Sequence, residues 1–455
     1  MQRGLVIDLF AGGGGASVGI EAALGRPIDV AINHSPTALA VHADNHPHTK
    51  HLTSDIWEVK PEAVVGDRPV DVLWASPDCT HHSVAKAGKP RDGGIRSLAW
   101  VVVEWARRVK PSVIFLENVP EFASWGPLTD AGNPDKARAG ETFQDWKRAL
   151  EQLGYVVDSR VLDASRFGAP TKRRRLFLVA RNDGRRITWP TPTHGPGLKP
   201  VRTAAECIDW SIPCPSIFER ARPLADNTLR RVAEGIRRFV LNSPSPFIVP
   251  AGVGPTAPTL IQTSYGERAG QKPRCLDLFE PLGTVVAQGV KHALVTAFLA
   301  KHYGGVVGTS VEASMSTVTA TDHHSLVTAQ LWPEFEAKGE PPAQRCAAFL
   351  AAYYGADVAG QQVDAPLRTI TTKDRLALVL VAGVPHAIVD IGLRMLEPAE
   401  LLKAQFGRFA ETYDLKRAGT KTTQVRLIGN SVCPEVAEVL VRANCVEAEA
   451  LPAAA

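Results

Sequence analysis

Gly12-Gly13-Gly14-Gly15 follows directly, through Ala11, on the apolar run Leu5-Val6-Ile7-Asp8-Leu9-Phe10 and leads into a helix-compatible stretch. A strand that turns through glycines into a helix leaves bare backbone at a helix N-terminus, where a ligand can lie against main-chain N–H groups. The junction therefore makes the chain open as an α/β fold with a ligand site at the carboxyl end of its first strand. The spacing is not G-x-G-x-x-G and no Gly-Lys-Ser/Thr follows, so dinucleotide and P-loop readings lose ground. Nicotinamide, flavin and adenosylmethionine sites, and plain turns, remain open.

The same rhythm of short β-rich runs and longer helical stretches continues to about residue 180. Strands are predicted at Leu5 to Phe10, Ile28 to Ile32, Val70 to Ala75, Val113 to Leu116, Tyr155 to Leu162 and Leu176 to Ala180, with helices between them such as Ser97 to Val109 and Thr142 to Leu153. Alternation of this kind means a mostly parallel sheet. Near residue 185 the texture becomes Pro-rich (Trp189-Pro190-Thr191-Pro192), which marks a boundary. A degenerate repeat follows, visible when Phe298 to Val327 is laid over Phe349 to Val379, with a third copy at Ser264-Tyr265-Gly266 and Glu280 to Val295. Helical patterning resumes at Pro398 to Phe406 and ends near Glu435 to Arg442. The expected organisation is residues 1–185 as the first part of a catalytic domain, 186–390 as an inserted β-rich region with repeats, and 391–455 as a return to the first domain.

A net charge of +4 is too small to identify a nucleic-acid binder by itself. The longest apolar run, Leu376 to Val384, is far short of a membrane span, and Asp8 inside the first apolar stretch argues against a signal peptide. A cytoplasmic protein without membrane attachment is expected. The seven cysteines include no C-x-x-C pair, which speaks against a disulfide framework or zinc site, and no metal is expected.

Chemistry is sought just after each strand. After Val72-Leu73-Trp74-Ala75 comes Ser76-Pro77-Asp78-Cys79-Thr80-His81-His82-Ser83, which puts a cysteine on a polar loop and makes Cys79 a nucleophile candidate. Lys86, Lys89 and Arg91 favour its thiolate, and Asp78 opposes it. Val113-Ile114-Phe115-Leu116 delivers Glu117, an acid whose desolvation should raise its pKa as a proton donor needs, or which pairs with an arginine for structure. Arg173 and Arg175 alternate in an extended run and so share a face, pointing to a bound anion or to a solvated basic edge. His34 after the second strand could bond a ribose hydroxyl, and Asp55 could accept from an adenine amino group or cap a helix.

Taken in this order, the pieces resemble the DNA (cytosine-5) methyltransferases over Leu5 to Ala180 and Leu393 to Leu440. The resemblance rests on Asp8-Leu9-Phe10-Ala11-Gly12-Gly13-Gly14-Gly15, Ser76-Pro77-Asp78-Cys79, Glu117-Asn118-Val119, Arg173 with Arg175, and Gly429-Asn430-Ser431-Val432. The chain departs from the family at Asp78, Thr80, Thr171 and His34. The resemblance implies a Rossmann-like S-adenosylmethionine-dependent methyltransferase fold with an inserted, irregular β-rich target-recognition domain. It implies Cys79, Glu117, Arg173 and Arg175 as catalytic residues. Asp8, Phe10, Ala11, Gly12, Gly13, Gly14, His34, Asp55, Ile56, Pro77, Asn430, Ser431 and Val432 would hold S-adenosyl-L-methionine. The implied reaction methylates C5 of a flipped cytosine in double-stranded DNA by a monomer, in some systems beside a companion restriction endonuclease. An RNA cytosine-5 methyltransferase and a decayed enzyme acting as a DNA-binding protein are the alternatives. For the inserted region, Arg220, Arg222, Arg230, Arg231, Arg237 and Arg238 are expected on one helix as phosphate contacts, with base readout from Thr319 to His324 and Thr371 to Arg375.

Overall fold

Side chains in a parallel sheet covered on both faces are apolar at nearly every position, and Leu5-Val6-Ile7-Asp8-Leu9 meets that demand everywhere except Asp8. The computed structural model describes residues 3–77, 98–130, 133–243, 245, 247–251, 254–263, 267, 270–287, 289–301, 346, 378–381 and 384–446. It divides into two compact units, the first comprising Met1–Ile208, Phe279–Val290 and Glu397–Ala455, the second Asp209–Leu278 and Lys291–Leu396.

The first unit is built on a seven-stranded sheet of β1 (Leu5–Leu9), β2 (Val30–Asn33), β3 (Lys50–Thr53), β4 (Val70–Ala75), β5 (Val113–Asn118), β6 (Val156–Asp163) and β7 (Arg174–Arg181). The order is β3-β2-β1-β4-β5-β7-β6, with β1 to β5 parallel and β7 antiparallel to both of its neighbours. β3 is absent from the strands predicted above. It is an edge strand with Leu52 as its single strongly apolar residue, so no apolar run announces it, and its pairing to β2 (Val30↔Lys50 to Asn33↔Thr53) supplies what sequence does not.

Alternation sends Leu5, Ile7 and Leu9 to one face, against α4 (Trp100–Val109) and α5 (Glu141–Gln152) through Trp105, Phe143 and Trp146. The other face carries Val6, Val72, Trp74 and Phe115 against α1 (Gly15–Leu24) and the last described helix, Pro434–Cys445. α1 meets that helix with almost no spacing. A Cβ on Gly19 would lie 2.3 Å from the Pro434 carbonyl oxygen and 2.7 Å from Ala437 Cβ.

The second unit is β-rich and, in its described part, an antiparallel sheet with a register shift between Phe298 and Leu299. Its strands are β8 (Val249–Ala251), β9 (Gly254–Gln262), β10 (Cys275–Leu276), β11 (His292–Lys301), β12 (Leu378–Val381) and β13 (Val384–Met395), in the order β10-β9-β11-β13-β12 with β8 on β9. Val232 and Ile236 of the helix Asp226–Ile236 join Ile261, Val295 and Ile391 in its core. The arginines expected on one helix do not form a phosphate-facing stripe. Arg220 and Arg222 precede the helix, and Arg231 is buried in an ion pair with Glu267, because its position falls on the side that meets β10. Arg230 pairs with Asp226 and Arg237 with Glu234.

Of the repeat copies, 302–345, 347–377 and 264–266 lie outside the described residues, and with them Thr319 to His324 and Thr371 to Arg375. The copy at Glu280 to Val295 is shared between the units, its first part belonging to the first unit and its end forming β11. No described helix is long and apolar enough to cross a membrane.

Overpacking at the α1 contact is testable. Gly19→Ala should lower stability by about 1–3 kcal/mol in a denaturant titration, since the new methyl meets backbone and not a movable side chain.

Candidate functional site

Strand carboxyl ends in an open parallel sheet leave a crevice, and here β1, β2, β4 and β5, together with the turn after β3, open onto a cavity of about 780 Å³. That size suits a nucleoside-bearing ligand. At the end of β1 the chain must turn sharply. Phe10 takes φ 60° and Gly12 φ 54°, in the left-handed region where a non-glycine residue is strained. Phe10, Ala11, Gly12 and Gly13 line the cavity, and a Cβ on Gly12 would meet nothing closer than the Phe10 carbonyl at 3.9 Å, so this face is open. Tyr413 donates its hydroxyl to the Gly13 carbonyl from beneath. Gly14, expected at the ligand, is not in the lining: at φ 101° it turns toward His42 and His46, and a Cβ there would be 2.8 Å from His46 Nε2.

The neighbouring strands supply polar rims. Exposed His34 follows Asn33, whose Oδ1 accepts from Ser35 N at 2.8 Å, and Ser35 Oγ in turn accepts from Ala38 N at the start of α2 (Pro36–Asn45). Asp55 both lines the cavity and caps the turn Ile56–Glu58, accepting from Trp57 N at 3.0 Å, so its two sequence readings coexist. Ile56 lies buried beside it. Trp57 is 51% exposed and lines the cavity as well. Sequence reasoning passed over it; a tryptophan two residues after Asp55 was the available signal.

Ser76 and Pro77 carry β4 to the cavity, and Asn118 Nδ2 holds the Pro77 carbonyl at 3.2 Å. Cys79 lies outside the described residues. Among the described residues no cysteine lines the cavity, and burial pushes Cys207, Cys275, Cys433 and Cys445 up to about 12, which keeps them as thiols.

Glu117 ends β5 at 7% exposure and pairs with Arg175 Nε at 3.2 Å. Arg173 and Arg175 both line the cavity, with exposed Arg174 between them. Arg173 is held by a segment distant in sequence: its Nη1 donates to the Val285 carbonyl at 3.2 Å, while Lys172 N donates to the Leu282 carbonyl at 2.8 Å. The same segment presses on the helix Lys421–Asn430, where a Cβ on Gly429 would be 2.3 Å from Ala287 N. Asn430, Ser431 and Val432 thereby reach the cavity, with Ser431 further fixed through its carbonyl by Gln405 Nε2 at 2.8 Å. Arg426, one turn earlier, joins the lining and was not singled out from sequence.

Asp8 lies on β1, inside the sheet. It is fully buried with Oδ2 accepting from Ser17 Oγ at 2.7 Å, and Oδ1 has no hydrogen-bond partner among the described residues. Burial raises its pKa from 3.8 to about 7, the Ser17 hydrogen bond opposing.

Residues 5–203 match the C-5 cytosine-specific DNA methylase family. The chain is 33% identical over 227 residues to the Type II methyltransferase M.AgeI of Thalassovita gelatinovora, covering 44% of this chain and 49% of that protein. It is 28% identical over 220 residues to M.AquIA of Picosynechococcus, covering 45% and 87% respectively. M.HhaI of Haemophilus parahaemolyticus is 30% identical over 178 residues, 39% of this chain and 49% of that protein. The chain thus spans about half the length of M.AgeI and M.HhaI. Among solved structures, a mutant DNMT2 of Spodoptera frugiperda aligns with a TM-score of 0.52 at 15% identity, over 97% of this chain and 99% of that one. The likeness is one of fold.

The raised Asp8 pKa has a sign. Between 3.8 and about 7 the folded state holds a proton that the unfolded state has lost, so this group's contribution to stability falls as pH rises through that window and is level above it. In denaturant titrations at pH 4.5 and 7.5, Asp8→Asn should therefore gain stability relative to the parent at the higher pH; an unchanged difference would remove the assignment.

Proposed function

Taking as premise that residues 5–203 carry a C-5 cytosine-specific DNA methylase domain, we propose that this protein transfers a methyl group from S-adenosylmethionine to C5 of a cytosine in duplex DNA. The observation that carries this reading is the convergence of Gly12, Glu117, Arg175 and Asn430 on one cavity. The cavity also suits the cofactor. Gly12 leaves bare backbone, Asp55 and His34 offer hydrogen-bonding groups at the rim, Phe10 and Trp57 offer rings, and Asp8 has a buried, unpartnered oxygen for a cationic ligand. S-adenosylmethionine supplies an electrophilic methyl group on a sulfonium.

Cytosine C5 is a weak nucleophile until electrons are pushed into the ring. Cys79, as thiolate, adds to C6. Glu117 hydrogen-bonds and protonates N3, so that C5 acquires enamine character and can take the methyl group. Arg175, 3.2 Å from Glu117, orients the carboxyl, and Arg173, anchored on the Val285 carbonyl, faces the base or the Cys79 loop. A base then removes the C5 proton, the C6–sulfur bond breaks to regenerate the thiolate, and N3 returns its proton to Glu117. None of these atoms is reachable in a stacked duplex, so the cytosine is flipped out, at a cost of a few kcal/mol. Residues 186–390 supply target recognition, the protein acts as a monomer in the cytoplasm, and its methylation would shield the site from a companion restriction endonuclease where the system has one.

The decisive experiment uses duplex DNA carrying 5-fluorocytosine, in which fluorine blocks the final elimination. With S-adenosylmethionine present, a covalent protein–DNA adduct stable to denaturation is expected, and Cys79→Ser should abolish it. Glu117→Gln should slow adduct formation by about 10²–10⁴-fold. Binding of the cofactor without any adduct on DNA of diverse sequence would refute the proposed reaction.

A further inference from the structure

Asp8 shares its face of the sheet with Val6 and therefore sits beneath α1, where Ser17 is the residue that meets it. The contact does not end there. Ser17 Oγ lies 3.0 Å from His42 Nε2, and His42 Nδ1 lies 2.8 Å from His51 Nε2. Asp8, Ser17 and His42 are completely buried, whereas His51 is half-buried on the edge strand β3. His51 lines a second groove of about 370 Å³, together with Lys50 and Lys60. At the opposite end, Asp8 lines the cofactor cavity with Oδ1 unpartnered among the described residues. A line of hydrogen bonds thus runs from the cavity at Asp8 to the groove at His51, two depressions that share Ser54 in their linings.

Other titratable groups flank this line. His46, just after α2, packs 4.4 Å from the His42 ring and bonds Glu21 of α1 at 2.9 Å, and Tyr413 donates to the Gly13 carbonyl. Burial and the neighbouring imidazoles hold His42 well below its ordinary value, and His51 is lowered too, so both rings are neutral near pH 7 and can each pass a proton without storing one.

We propose that Asp8 is the counter-ion for a positive centre of the bound nucleoside ligand, and that ligand binding expels its proton along Ser17, His42 and His51 to the outer groove. The proposal rests on the cavity being the S-adenosylmethionine site. Before binding, the Asp8 carboxyl donates to Ser17 Oγ, Ser17 donates to His42 Nε2, and His42 Nδ1–H donates to His51 Nε2. On binding, each proton moves one group along and His51 gives one from Nδ1 to solvent. Ser17 then donates to Asp8, His42 Nε2–H to Ser17, and His51 Nε2–H to His42. Each residue except Asp8 ends with the protons it began with. The path is needed because the ligand itself covers the cavity side of the carboxylate.

Titration calorimetry of the full chain in two buffers of different ionisation enthalpy counts the protons. With S-adenosylmethionine, release of about one proton at pH 6 and almost none at pH 8.5 is expected, with affinity weakening about tenfold per pH unit below 7. Adenosine, which lacks both positive centres, should release none. Asp8→Asn should abolish release and flatten the pH dependence. Ser17→Ala, a smaller change, should move the midpoint upward, because it removes the one hydrogen bond that favours the carboxylate. In stopped-flow with a pH indicator, Ser17→Ala and His51→Ala should make proton appearance lag ligand binding at least tenfold. Binding of S-adenosylmethionine without proton release at pH 6 overturns the coupling alone; release as fast in both variants as in the parent overturns the path; failure of both ligands to bind at any pH overturns the cavity assignment with it.

Discussion

The contact between α1 and the last described helix is the constraint on which the site depends. Gly15 and Gly19 present backbone where any side chain would collide with Val432 O and Pro434 O, at 2.4 and 2.3 Å from a built Cβ. Close approach at these two points lets Ala16, Ile20, Val436 and Leu440 share one apolar layer over Val6 and Trp74. The same approach draws Asn430, Ser431 and Val432 beside the Gly-rich turn. Without it the cavity would lose one wall, and the fold would lose the layer that buries Asp8.

The remaining walls are held by polar contacts that reach across the chain. Residues 279–290 belong to the first unit and grip Arg173 by the Val285 carbonyl, Lys172 through Leu282 and Glu280, and Gly429 by direct backbone contact. One short segment therefore positions both an arginine that lines the cavity and the helix that ends in Asn430. Arg175 orients Glu117 from the neighbouring strand. Two carboxyls line the same cavity, Asp8 buried with one oxygen unpartnered among the described residues and Glu117 paired to Arg175.

Much of this was legible in the chain. The Gly-rich turn, Glu117 and Pro398–Phe406 lie where pattern and propensity put them, because each follows from local periodicity or from a turn that only certain residues make. β3 was not legible, since an edge strand needs no apolar run and exists by pairing with β2. Arg231 was misread as a surface cation because helical spacing tells which residues share a face but not which face is buried, and Glu267 decides that. Trp57 and Arg426 went unnoticed because neither belongs to a recurring motif; the cavity gathers them from the turn after β3 and from the helix Lys421–Asn430.

The sequence by itself determined the alternation of strands and helices and which polar residues follow those strands, with Cys79 and Glu117 as its candidates for chemistry, because these depend on residue type and short spacing. Only the tertiary structure decided that the turn at Phe10, the acid at Glu117 and the helix end at Asn430 surround one cavity, and that Ser17, His42 and His51 continue the line from Asp8. Those groupings join residues up to hundreds of positions apart, and nothing in local sequence specifies a distance across a packed sheet.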